Sequence, residues 1–190
     1  MNLDPDTGLV RDIRQAFSPN QDERPAGGDI KLLVIHAISL PPGQFGGEWV
    51  ERLFCNRLAP GEHPYFTEIC DLKVSAHFLI RRDGELIQFV PAHRRAWHAG
   101  ESWHRQRPRV NDFSLGIELE GCDEEPFDDK QYATLAALTR ELIRHYPGIT
   151  PENIVGHCDI ALGRKTDPGP CFDWDRYRTL LAGGSGPASK

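Results

Sequence analysis

DIKLLVIH, residues 29–36, is the stretch on which the fold turns. It is a short apolar run rich in branched side chains that follows Gly27-Gly28 and stops before Pro41-Pro42, the mark of a buried strand. Its last residue is a histidine, His36. SAHFLIRRDGELIQFV, residues 75–90, holds two more strand-like runs around Asp83-Gly84, a pair that favours positive φ and so predicts a hairpin turn. In FSLGIELEG, residues 113–121, Phe113, Leu115, Ile117 and Leu119 alternate with Ser114, Gly116, Glu118 and Glu120, which is strand periodicity.

Helical spacing appears after Asp128, a good N-cap, with Tyr132, Leu135, Leu138, Leu142 and Tyr146 on one face until Pro147-Gly148 ends the run. Thr150-Pro151 starts a short turn, and residues 173–181 suggest a last helix. The segment 48–71 is polar and weakly periodic and contains Gly61 and Pro64; it reads as a partly helical insertion able to cover a substrate. Strands interleaved with helices predict an α/β single domain over residues 1–182, a central mixed β-sheet flanked by helices, with GGSGPASK, 183–190, as a disordered tail. Strand order is not legible.

A chain of 190 residues with 39% apolar content can bury one sizeable core without disulfides. Its five cysteines are odd in number and include no C-x-x-C pair, which signals neither a disulfide framework nor a cysteine-rich zinc site. A net charge of -6 leaves no basic excess to neutralise a row of phosphates, against nucleic-acid binding. No run approaches the roughly 20 apolar residues of a membrane helix, and MNLDPDTGLVRDIRQ is acidic and mixed where a signal peptide is basic and then apolar. The expectation is a cytoplasmic monomer with no membrane partner.

GHCDIALGRKTDPGP, residues 156–170, carries chemistry: a histidine, two aspartates and a lysine in a loop punctuated by glycine and proline. A zinc hydrolase needs about three protein ligands and one open position. His157 and Asp167 offer two ligands from this loop, and His36, rigidly held at a strand exit, is the natural third. Spacing alone signals this weakly, because there is no H-E-x-x-H pattern. Asp159 competes with Asp167 but sits where it can brace the loop, and Cys158 reads as packed. Glu120 lies two residues from Glu118 on the same strand face, so either carboxylate can serve in proton transfer.

Five segments in order, LLVIHAISLPPGQFGG, VSAHFLIRRDG, RAWHAG, NDFSLGIELEG and GHCDIALGRKTDPG, resemble the motifs of the AmpD-type 1,6-anhydro-N-acetylmuramyl-L-alanine amidases. The wider relatives are the amidase-2 phage lysozymes and peptidoglycan recognition proteins. The resemblance spans nearly the whole chain and implies the amidase-2 fold, with Zn2+ bound by His36, His157 and Asp167. It further implies that Glu118 transfers protons and Lys165 stabilises developing charge, in hydrolysis of the bond between a muramyl lactyl group and L-alanine during peptidoglycan recycling. Where β-lactamase is inducible, that reaction lowers the inducing signal.

For the substrate, a soluble anhydromuropeptide with several carboxylates, the resemblance implies a clamp by Arg109. Trp97 and His98 of RAWHAG are candidates to pack against the sugar or line the cleft. His77, among apolar neighbours, reads as a satisfied core histidine or as a support behind a metal ligand rather than as a ligand itself. Two positions depart from the family pattern: Ala37 stands where asparagine is usual, and Lys73 where a relative carries arginine. Alanine offers no side-chain hydrogen bond, and lysine replaces a planar fork by a point charge, which bears on peptide preference. The alternatives are a non-catalytic peptidoglycan-fragment binding module and a structural zinc clamp, the latter needing a fourth ligand from Cys158 or His98.

Overall fold

Apolar residues on both sides of DIKLLVIH require cover on both sides, and the fold provides it around a six-stranded sheet. The computed structural model describes residues 1–183. The strands are β1 (Arg14–Gln15), β2 (Leu32–Ile38), β3 (Phe78–Ile80), β4 (Leu86–Gln88), β5 (Ser114–Glu120) and β6 (Ile154–Gly156), in spatial order β1-β4-β3-β5-β2-β6. Only β3 and β4 pair antiparallel; every other neighbour is parallel, so the sheet is mixed as expected. The β3–β4 connection turns at Asp83-Gly84, where Gly84 takes φ +86°.

The period of two divides β2 and β5 cleanly. Leu33, Ile35, Leu115, Ile117 and Leu119 pack with Tyr132, Leu135, Leu138 and Leu142 of the long helix α3 (Asp129–His145). Tyr177 of α5 (Trp174–Leu181) joins that layer, its hydroxyl 2.8 Å from Thr139 Oγ1. Leu32 and Val34 point the other way, to Val110, Phe113 and Ile160. The predicted insertion folds as α1 (Trp49–Phe54), a 3-10 turn and α2 (Phe66–Ile69), and packs Leu53, Phe54 and Phe66 against Leu79, Ile87 and Phe89. Helices thus lie on both sides, the long ones together on one face.

One expectation needs refinement. The polar residues of β5 alternate as predicted, yet all seven residues of the strand are buried, because the second face is covered by the 97–99 segment and loops rather than by water. The five cysteines are all free. No helix among the described residues is long and apolar enough to cross a membrane. The predicted tail falls, beyond Gly183, outside the described residues.

Candidate metal and catalytic site

Parallel register assembles the site. His36 of β2 lies opposite Glu118 of β5, and Gly156 of β6 lies opposite Ile35, so His157, His36 and Glu118 stand side by side at the carboxyl ends of three adjacent strands. In open α/β sheets this end is where binding crevices form. His157 opens the short helix α4 (His157–Ile160), whose entry Asp159 braces by accepting from Gly156 N at 2.7 Å. The loop then returns, Cys158 N donating to Asp167 O at 2.9 Å, and delivers Asp167 beside the two histidines.

Three atoms converge: His36 Nδ1 and His157 Nδ1 are 3.0 Å apart, and Asp167 Oδ2 is 3.2 Å from the first and 3.1 Å from the second. His157 Nε2 faces the Ala99 carbonyl at 3.3 Å, and a carbonyl only accepts, so Nε2 carries a proton and Nδ1 is the nitrogen left to meet a metal. Burial lowers the His36 pKa to about 4, so it is neutral at pH 7. Bare nitrogens pressed against each other and a carboxylate repel unless a cation lies among them. Donors about 2.0–2.2 Å from a tetrahedral zinc stand roughly 3.3–3.6 Å apart, a few tenths of an ångström wider than these spacings, so a small relaxation lets the group fit zinc.

Among the described residues the cluster has these three members only. His98, considered as a fourth ligand, places Nδ1 2.9 Å from the far nitrogen of His36, away from the cluster. The site therefore suits an open fourth position, the pattern of a catalytic rather than a structural metal.

Glu118 is 9% exposed, and its Oε2 is buried with no hydrogen-bond partner among the described residues. Burial pushes its carboxyl well above the usual range, Asp167 adds to the rise, and Lys165 opposes it. Glu120, its competitor, is occupied: it accepts from Gly46 N at 2.7 Å and Arg82 N at 3.1 Å and pairs with Arg81. Of the two carboxylates, Glu118 is the one with an oxygen to spare.

His36, His157, Asp167 and Glu118 line a cleft of about 570 Å³. Lys165, exposed, and Trp97, half-buried, border it together with Ala37; Leu53, Phe54 and Tyr65 of the insertion form an apolar wall. A side pocket of about 210 Å³ adds Lys73 and Asn111. Arg109 borders neither: it takes a left-handed backbone (φ 61°) and its Nε lies 3.1 Å from Asp112. His98 borders the cleft, but both its ring nitrogens are engaged inside the protein, at His36 and Ser114, which leaves no donor or acceptor for a sugar. His77 is fully buried, as expected. Arg164, absent from the candidates above, ties the 156–170 loop to the 99–101 segment, donating to Ala99 O at 2.8 Å and Glu101 O at 2.7 Å. Its only sequence signal was its place beside Lys165.

Residues 26–170 match the family model described as N-acetylmuramoyl-L-alanine amidase. The chain is 56% identical to the 1,6-anhydro-N-acetylmuramyl-L-alanine amidase AmpD of Salmonella typhimurium (strain SL1344), over 94% of this chain and 95% of that protein. Its fold is similar to a crystal structure of a Se-Met AmpD derivative, with TM-score 0.92 and 54% identity over 95% of this chain and 99% of the other. It also resembles, at TM-score 0.60 and 30% identity over 92% of this chain and 62% of the other, the amidase AmiD of E. coli. That structure is a complex with anhydro-N-acetylmuramic acid-L-Ala-D-gamma-Glu-L-Lys.

Proposed function

The chain belongs to the N-acetylmuramoyl-L-alanine amidase family, and from that membership we propose that it hydrolyses the amide joining the lactyl group of an anhydromuramyl sugar to L-alanine, in peptidoglycan recycling. The substrate is a small soluble muropeptide and the setting is the cytoplasm. We assign the reaction to one catalytic unit over residues 1–182, acting as a monomer. The observation that carries the reading is the pair of bare Nδ1 atoms and the Asp167 oxygen beside an unpartnered Glu118 oxygen.

His36, His157 and Asp167 would hold Zn2+. When bound, zinc supplies Lewis acidity, lowering the pKa of water towards about 7 and polarising a carbonyl. Glu118, ionised where the positive charge of a bound metal would offset its burial, accepts a proton from the attacking water at Oε2, and the water oxygen forms a bond to the lactyl carbonyl carbon. As the C–N bond breaks, Glu118 returns the proton to the alanine nitrogen, giving a lactyl carboxylic acid and a free peptide amine. The Lys165 ammonium faces the charge that develops on the carbonyl oxygen. Trp97 and the insertion wall supply apolar surface for the sugar and exclude water. Lys73, in the side pocket, is assigned to a carboxylate of the peptide, and Arg109 is assigned to one on the family resemblance alone, since its guanidinium pairs with Asp112 outside both cavities.

A second reading, a binding module without turnover, has no use for an unpartnered buried carboxylate beside a three-ligand cluster. The deciding experiment is mass spectrometry of anhydro-muramyl tripeptide incubated with zinc-loaded protein, chelated protein and the Glu118→Ala variant. Free tripeptide from the zinc-loaded wild type alone is expected. No release from zinc-loaded wild type would overturn the amidase reading. Intact sacculi should be cut poorly in the same assay.

A further inference from the structure

His36 and His157 present the same nitrogen to the cluster, but they are held differently. A backbone carbonyl fixes His157, whereas only side chains stand behind His36. Those side chains form a chain with a fixed end. The Val110 carbonyl can only accept, and Ser114 Oγ donates to it at 2.7 Å. With its single proton committed, Ser114 Oγ accepts from His98 Nε2 at 3.1 Å. The neutral His98 ring then has a bare Nδ1, 2.9 Å from His36 Nε2, which must be the N–H. His36 Nδ1 is left without a proton, facing His157 and Asp167.

We infer that Val110, Ser114 and His98 form a positioning device that holds His36 in its Nε2–H tautomer, so that its Nδ1 lone pair is presented to a metal. The inference rests on the metal reading proposed above, and His98 is a positioning residue, since it lies outside the ligand cluster and acts through His36. Running the chain in reverse would put a proton on His36 Nδ1, inside the ligand cluster, and would take from the Val110 carbonyl its Ser114 donor.

Packing keeps the relay in register. A Cβ on Gly116 would come 2.5 Å from His98 Cγ, so the imidazole lies on the strand where only glycine admits it. The His36 ring stands edge-on to one side, with centroids 5.0 Å apart, and His77 to the other at 5.7 Å. His77 does not compete, because Gly116 N donates to its Nδ1 and its Nε2 faces the Arg94 carbonyl. Asn111 Oδ1 accepts from the backbone of His98 and Ala99 at 3.2 and 2.9 Å, fixing the segment that carries the ring.

The first test needs no variant: imidazole 15N NMR of the metal-free full chain. A protonated Nε2 and bare Nδ1 on His36 are expected, and a protonated Nδ1 would overturn the inference. The second is zinc affinity, by competition with a chromophoric chelator, for wild type, His98→Phe, His98→Gln and Ser114→Ala. Loss of a partner behind a metal-binding histidine weakens affinity by about 10–100-fold, the loss expected for His98→Phe. Ser114→Ala, remote from the metal, should weaken binding by a smaller factor, while His98→Gln, whose amide oxygen can accept from His36, restores part of it. Equal affinity in all four proteins would overturn the inference. Failure of the wild type to bind zinc would instead overturn the metal reading, leaving the tautomer measurement to decide this one.

Discussion

Glu118 and Glu120 are two residues apart on one strand face, and their difference is one of partners. Glu120 is consumed by Gly46, Arg81 and Arg82; Glu118 keeps a buried oxygen free. Glu118→Gln should retain zinc while hydrolysis falls by about 10²–10⁴-fold, read as kcat against metal content. The same substitution has a pH signature in the metal-free protein. Because burial raises the Glu118 pKa in the folded state, its contribution to stability is intact below the unfolded pKa of about 4.3 and is lost as pH rises towards the folded value. Glu118→Gln should therefore raise the melting temperature of metal-free protein at neutral pH and not at acid pH. A lower melting temperature at neutral pH would count against that electrostatic picture.

Between elements, the start of α3 is sewn to the sheet by one side chain. Gln131, fully buried, accepts from Asp128 N at 3.0 Å and donates to Ile80 O at 3.3 Å and Glu120 O at 3.0 Å. It thus closes the helix entry and satisfies carbonyls at the ends of β3 and β5. Gln131→Ala should cost about 1–3 kcal/mol in urea denaturation, because it strands buried polar groups. Asp128 was legible in the sequence as a cap, but Gln131 was not: its partners lie on two strands that adjoin only after folding. The insertion was legible as partly helical for the opposite reason, since its weak periodicity and its breakers Gly61 and Pro64 are local signals.

For the molecule entire, apolar layers on both faces of the sheet carry the fold without the metal cluster. Chelation should accordingly abolish hydrolysis while far-UV circular dichroism stays native, and zinc should restore activity. Free zinc at about one hundred times its Kd should stabilise the protein by about 2.7 kcal/mol, visible as a rise in melting temperature. Unfolding on chelation would point back to a structural metal.

The buried strands, the hairpin at Asp83-Gly84 and the capped α3 could be read from the chain, because each rests on local periodicity or turn chemistry, whereas the three ligand candidates, weak on spacing alone, stood out through the family resemblance. The reading could not tell which face of β5 was wet, and in the fold neither is. His98, expected to pack against a sugar or line the cleft, does border the cleft, but that its ring nitrogens meet His36 and Ser114 was not legible along the chain. Arg164 was passed over because its acceptors are carbonyls some sixty residues away. Hydrogen-bond direction, cover on the second face and the side-by-side placing of His36, Glu118 and His157 all depend on parallel pairing between distant segments. That pairing is a property of three-dimensional register, to which the order of residues along any single strand gives no access.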